Sequence, residues 1–567
     1  MSNNHMRSSM NRTVRRMLLA ALPALLLAAW AAGQAAEPPP ALPAGAMVVA
    51  EAPDFKSLKA AWDGSAARPA WEASAALEMF RRSRLFLKLE DRRSLLSLAA
   101  GTELDEAFLD GLQAGRTIAA VYDPGRREAL LMMELAHGGG GEALATLLQA
   151  LPEQRHLGLA YRGRYLEEEN VYLGAFQAGN RLYLVSSERL IQEVVRVAKE
   201  GGGYRLPEFP AGAASLRLDV DLAAIRKTSY FRRYWLPPDR SAWAPYAREL
   251  VSLASTPSGW SEQRLFLESV EAPAAWPAAP PFPAGPAGDA GPAWMVRQGV
   301  TADPVKELLL GGILRLPAER RRELRPKEQY SSAVMGESAA EASDLELQVN
   351  QSPPATDKDQ LFAGAAAPGD ELQAFLEQAG PWTVHWTWDL RRDAATGNWT
   401  RQEFGLSLES ATAGADAGEQ LKRLLGRALA AAYLCNPDSV TWNGPAAAGT
   451  VAHCTAPAEV LLDAPRPGTV LLATSAGQLE RVRALAAVPD AAPLFGRLAL
   501  GQASGKYDQF LRDLGRADKP QEAYEPRFME DVVPSLLQAL GRVSEIRILR
   551  APAPGGIYER VEYVLAK

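Results

Sequence analysis

Two stretches of this chain spell nearly the same local structure. Arg181 to Ala198 reads RLYLVSSERLIQEVVRVA, and Gly468 to Leu485 reads GTVLLATSAGQLERVRAL. Each is a β-rich apolar run, then a Ser/Thr step, then apolar residues at helical spacing. A solenoid repeats every few dozen residues, whereas self-similarity at this long separation points to a duplicated domain. The expectation is a chain that folds as two related units.

Further echoes occur in the same order. Asp54-Phe55-Lys56-Ser57-Leu58 matches Pro304-Val305-Lys306-Glu307-Leu308 in pattern, and Asp105 to Asp123 resembles Asp370 to Asp389. The latter pair reads as a helix, an Ala-Gly stop and a strand ending in aromatic-Asp. Leu216 to Tyr234 and Leu498 to Leu511 each read as a strand followed by an amphipathic piece. Between the two series lies a stretch rich in Pro, Ala and Gly, too poor in regular-structure formers to be helix or strand. The expected division is a first unit at 47–271, a linker at 272–293 and a second unit at 294–567.

Within a unit, hairpins alternate with helices. Ile118 to Tyr122 and Ala129 to Leu135 flank Asp123-Pro124-Gly125, a hairpin signal. Leu144, Leu147, Leu148 and Leu151 follow at helical spacing, and strands near Val171 to Phe176 and Leu182 to Val185 meet at Gly179-Asn180. The second unit repeats this with Trp382 to Trp388, a turn at Thr396-Gly397-Asn398, Phe404 to Leu408, and a helix through Leu421, Leu424, Leu425 and Ala428. Mostly antiparallel sheet packed by helices is therefore expected, an α+β class. The second unit departs from the first at 317–369, where ERRRELRPKE precedes polar and small residues. A solvated helix and a mobile loop are expected there, with Arg320, Arg321, Arg322 and Arg325 as the candidate partner surface.

The first residues carry Arg15 and Arg16, then MLLAALPALLLAAWAA, then small residues through Ala36. That pattern predicts a signal peptide at 1–36, an extended leader at 37–46 and a periplasmic or secreted protein. The apolar run is short for a membrane span and Pro23 interrupts it, so no stable span is expected after cleavage. Val14 and Ala20 fit a twin-arginine signal poorly, which favours export of the unfolded chain. The net charge of -6 lacks the global basic footprint of a nucleic-acid binder. Two cysteines, Cys435 and Cys454, should form a disulfide in an oxidising compartment. The loop closure contributes about 3 kcal/mol on the chain-entropy model. A catalytic or metal-binding thiol beside His453 is the alternative, but adjacent strand residues face opposite ways.

The sharpest apparent chemistry is His137-Gly138-Gly139-Gly140 with Gly336-Glu337-Ser338-Ala339-Ala340. These resemble the oxyanion loop and nucleophile elbow of hormone-sensitive-lipase-like esterases. Ala340 stands where the elbow needs its closing Gly, and the motifs fall in different units. A serine hydrolase with Ser338 as nucleophile and His385 or His453 as base is thus the alternative.

Asp219 and Asp221 lie two apart on a strand, a spacing that suits a cation or a shared proton; the ordinary reading is a solvated edge pair. Glu167, Glu168 and Glu169 read as a charged loop. Trp382, Val384, Trp386 and Trp388 should take the core face of their strand, with Thr383, His385, Thr387 and Asp389 opposite. In SYFRRYW, Tyr230, Phe231, Tyr234 and Trp235 share a helical face opposite Arg232 and Arg233. The His residues show no His-x-x-x-His spacing and the Cys no Cys-x-x-Cys spacing, so no metal site and no cofactor are expected.

With its signal, repeat and hairpin-helix order, and in segments such as RLYLVSSERL and SLRLDVDLAAI, the chain resembles bacterial periplasmic proteins of domain-of-unknown-function families. The resemblance implies a duplicated α+β unit and no particular activity, and it transfers no site residue. The residues favour a non-catalytic binding, scaffold or chaperone-like accessory protein that meets another envelope protein. A periplasmic carrier of a lipid or polymer is the third reading.

Overall fold

The computed structural model describes residues 40–65, 67–82, 84–136, 141–209, 214–228, 245–256, 258–271, 276–277, 280–283, 291–316, 368–392, 399–433, 440–443, 447–451, 460–486, 493–500, 506 and 543–565. In the first half, β1 (Val48–Ala52) leads into α1 (Phe55–Asp63), α2 (Ala67–Glu72), α3 (Ala75–Arg82), α4 (Arg84–Ala100) and α5 (Glu106–Leu112). The hairpin β2 (Ala114–Asp123) and β3 (Glu128–Leu135) precedes α6 (Gly141–Ala150) and a meander of β4 (Glu153–His156), β5 (Leu159–Leu166), β6 (Val171–Ala178) and β7 (Arg181–Val185). Then come α7 (Glu188–Glu200), β8 (Ala214–Asp221), α8 (Leu222–Lys227), β9 (Arg248–Thr256) and β10 (Gly259–Leu267).

The second half starts with β11 (Ala293–Val300) and α9 (Ala302–Glu307), which runs into a π-helical segment at Leu308–Ile313. It continues through α10 (Pro368–Ala379), β12 (Trp382–Arg392), β13 (Trp399–Glu409) and α11 (Ala417–Tyr433). A meander of β14 (Val440–Asn443), β15 (Ala447–Val451), β16 (Val460–Arg466) and β17 (Thr469–Ala473) follows. The described chain closes with α12 (Ala476–Leu485), β18 (Leu494–Leu498), β19 (Val543–Ala553) and β20 (Gly556–Leu565).

Side chains set several of these boundaries. Asp54, Asp105 and Ser187 accept the N–H groups of Ser57, Phe108 and Leu190, so α1, α5 and α7 each begin on a capped turn. At the β2–β3 turn, Asp123 Oδ1 accepts the amides of Gly125 (2.8 Å) and Arg126 (3.1 Å), the Asx device that reverses a chain without a backbone bond.

The architecture is α+β, and its strands pair antiparallel throughout. In the first half the spatial order is β4-β5-β6-β7-β3-β2-β1-β8-β9-β10. In the second it is β14-β15-β16-β17-β13-β12-β11-β18-β19-β20, the same order ten strands later. The halves meet along β10 and β20, from Gly259 opposite Val564 to Leu267 opposite Gly556. This pairing covers two strand edges that would otherwise offer open N–H and C=O groups.

Each half buries both sheet faces. In the first, Ile118, Met132 and Tyr183 pack with Ile191 and Val194 of α7, while Leu112, Met133, Leu147 and Leu182 form the core on the helical α4–α6 side. In the second, Leu376 and Leu425 of α10 and α11 pack on Trp382, Val384 and Leu406. A further cluster joins Leu250 and Leu265 of the first half to Trp294, Phe495, Leu549 and Tyr558 of the second. Burying a side chain of this size stabilises by about 1.5–3 kcal/mol. Two chemically simple segments are also held. Leu42 is buried and bridges Tyr204, and the Ala41 N–H donates to the Tyr183 hydroxyl at 3.0 Å. Trp276 packs on Phe209 and donates Nε1–H to the Glu208 carbonyl at 2.8 Å, and Phe282 packs on Phe495.

Candidate functional site: an arginine-lined cleft

The residues singled out in the sequence do not assemble into one site. Cys435, Cys454, Ser338, His137, His453, the arginines Arg320, Arg321, Arg322 and Arg325, and the aromatic segment 229–235 lie outside the described residues. His385 is 1% exposed on β12, under α12, opposite Ser407 and with Nε2 3.9 Å from Glu409 Oε1. The tryptophan strand places Trp382 and Val384 in the core, with Trp386 and Trp388 partly buried against it. Its other face is covered as well, because α12 lies across it.

The aspartate pair requires a correction. Asp219 is 5% exposed, not solvated, and accepts from Arg248 Nε (2.7 Å) and the Tyr204 hydroxyl. Asp221 faces a different task, accepting the Ala224 N–H at 2.7 Å to cap α8. The cause is β9, which brings Arg248 alongside β8 and supplies a charge partner that the local sequence does not show. Glu167, Glu168 and Glu169 form an exposed turn, as read.

Three connections converge at one end of the first half's sheet: the β2–β3 turn, the β5–β6 turn and the β7–α7 junction. With Arg92 of α4 they enclose an open cleft of about 570 Å³, lined among others by Arg126, Arg127, Tyr165, Tyr172 and Glu188. The walls are tied to backbone. Ser186 donates its hydroxyl to the Arg127 carbonyl at 2.6 Å and accepts the Ala129 N–H at 2.8 Å. Ser187 caps the Leu190 N–H at 3.2 Å, while Arg189 Nε donates to the buried Glu128 at 3.1 Å and anchors the first turn of α7. Tyr165 donates to Asn170 Oδ1 at 2.6 Å, and Arg92 Nη1 reaches the Asn170 carbonyl at 3.5 Å.

The charges in this cleft are unbalanced. Arg92 is pulled below the ordinary guanidinium value, first by burial and then by the nearby charge of Arg127. Of the neighbouring acids, Asp123 holds turn amides and Glu128 holds Arg189, while the charge of Asp91 acts on Arg92 in the opposite sense to burial and Arg127. Among the described residues, no ion pair joins Arg92 or Arg127 to a carboxylate. Glu188 stands exposed on the lining and accepts from Gln192 at 3.3 Å. Tyr172 is 6% exposed, and its hydroxyl has no hydrogen-bond partner; burial raises the phenol, so it keeps its proton. Sequence reasoning took Asp123-Pro124-Gly125 as a hairpin turn and passed over the two arginines that follow directly.

The second half treats the matching place differently. Thr474 Oγ1 accepts the Phe404 N–H at 2.8 Å and Ser475 caps Gln478 at 3.4 Å, repeating the Ser186–Ser187 arrangement. Asp389, the echo of Asp123, receives Arg481 at 3.2 Å and Lys506 at 2.8 Å, so cations there are neutralised within the chain.

Fold and cleft together define an α+β protein with a long antiparallel sheet and a basic recess on one half. No family model and no curated protein matches the chain. Among solved structures, TP0453 in crystal forms IV, III and I aligns at 10–11% identity, covering 41% of this chain and 79–80% of that one. The TM-scores are 0.22–0.24, too low to carry an argument. Among the described residues, no helix is long and apolar enough to cross a membrane.

Proposed function

We propose that this chain is an exported, non-catalytic binding protein of the bacterial envelope, built by duplication of a ten-strand unit and working as an accessory or scaffold factor for another envelope protein. The duplication is supported by the matching strand orders and by the two Ser/Thr steps that tie β3 to β7 and β13 to β17 in the same way. The binding role rests on one observation: in the cleft, both serine hydroxyls are tied into the walls, Ser187 to the Leu190 N–H and to Glu128, while Arg92 and Arg127 make no ion pair among the described residues. Fixed walls and unspent positive charge suit a binding cleft.

Crosslinking in the periplasm, with identification of the captured proteins, tests this reading. A reproducible envelope partner is expected, and its absence across independent crosslinkers would count against the scaffold role. Fluorophosphonate labelling of the exported protein that disappears in Ser338→Ala would replace the proposal with the hydrolase.

A further inference from the structure

We infer that the cleft between Arg92, Arg127 and the start of α7 binds the oxyanion head of a small organic phosphate ester, one per chain. The inference rests on the binding role proposed above and supplies its ligand class. Arg92 and Arg127 lie on one cavity and make no ion pair with a carboxylate among the described residues; the two guanidinium groups repel each other, and an anion placed between them removes that repulsion while gaining charge-assisted hydrogen bonds. The first-turn amides of Glu188 and Arg189 precede the first intrahelical bond, from Ile191 N–H to the Ser187 carbonyl at 3.2 Å. Such amides offer donors at the positive end of the helix dipole.

Size and charge narrow the ligand. A phosphate group alone fills a small part of 570 Å³, so the remainder suits an organic portion against the half-exposed ring of Tyr165. Glu188 on the lining and the exposed Glu167, Glu168 and Glu169 in the adjoining turn surround the arginines with negative charge. That rim opposes a long polyanion and admits a single compact one. Among the described residues, the matching place of the second half pairs Arg481 and Lys506 with Asp389, which favours the first-half cleft as the site.

Isothermal titration of the exported protein with phenyl phosphate, inorganic phosphate and vesicles containing phosphatidic acid tests the inference. Saturable binding of phenyl phosphate at one site is expected, tighter than inorganic phosphate. Arg127→Ala and Arg92→Gln should each weaken it by about tenfold or more, the usual effect of losing a charge-assisted contact. Arg155→Ala serves as the control, since that side chain lies on β4 away from the cleft lining and is 73% exposed; it should change binding less than about twofold. Vesicle binding that phenyl phosphate displaces would support the same site with a lipid headgroup as source. Vesicle binding that phenyl phosphate does not displace, or phenyl phosphate binding unchanged in both arginine variants, would overturn it, as would no saturable binding at all. If periplasmic crosslinks persist in variants that prove irrelevant to phosphate, the binding-protein reading survives and only the ligand class fails.

Discussion

The Ser186 hydroxyl accepts the N–H of Ala129 at 2.8 Å while the Ser186 N–H donates to the Ala129 carbonyl at 3.1 Å, a two-way latch from the end of β7 to the start of β3. Thr474 and Phe404 repeat it at 2.8 and 2.9 Å in the other half. In both places a hydroxyl extends the ladder by one bond and launches the following helix. A hydroxyl is needed because the ladder ends there and the opposing amide would otherwise have no acceptor.

Removing the latch should therefore cost stability in either half. Thr474→Val keeps the shape and strands the buried Phe404 N–H, so we expect a loss of about 1–2 kcal/mol. Thr474→Ser should retain most of the wild-type value. Urea denaturation read by the midpoint checks the pair; equal midpoints for Val and Thr would refute the latch.

Glu249 gives the protein a pH dependence near neutrality. Burial pushes its carboxyl up to about 7, Glu262 and Glu559 push the same way, and Arg264 opposes them. Because the folded value exceeds the unfolded one, the fold prefers the protonated acid. The contribution of Glu249 to stability is therefore fullest below about pH 4.5, declines as pH rises toward 7, and levels off above. Glu249→Gln should remove this slope and stabilise the protein at pH 8 by on the order of 2 kcal/mol. Thermal melts at pH 5, 6, 7 and 8 would show it, and parallel curves for both proteins would exclude it.

The seam between the halves relies on two glycines. Gly259 has φ +148°, and a Cβ there would strike the Tyr563 carbonyl; a Cβ on Gly556 would strike the Phe266 carbonyl. Gly556→Val should open the β10–β20 pairing at that end and cost about 1–3 kcal/mol. Hydrogen exchange should then speed up in β10 and β20 before β4–β7. Uniform protection in the variant would show that the glycine is dispensable.

The disulfide proposed between Cys435 and Cys454 has a direct chemical test. Exported protein should resist thiol labelling until reduced, and Cys435→Ser should lower stability by about 3 kcal/mol. Two thiols that label without reductant would refute the pairing.

The local elements were legible because they follow from period and turn chemistry. The Asp123-Pro124-Gly125 hairpin, the β7–α7 run and the core face of Trp382 and Val384 all lie where the pattern places them. One echo was misframed, since Leu498 is the last residue of β18 rather than its start. What stayed hidden depends on partners far apart in the chain. Nothing near Asp219 announces Arg248, and nothing near Arg92 announces Arg127. Alternation reveals which face of a strand is buried, but it does not say which strand lies beside it. The pairing of β10 with β20 was for that reason invisible, and so was the cleft, whose walls come from three separate turns and a helix.

That pairing imposes an order on biogenesis. β10 is complete long before the strand that seals its flank, β20, has been made. Throughout that interval the first half carries a bare, pairing-competent border, the kind that neighbouring nascent chains capture. A chaperone that shields this border early, or a truncation that removes β20, would thus decide the fate of residues synthesised long before.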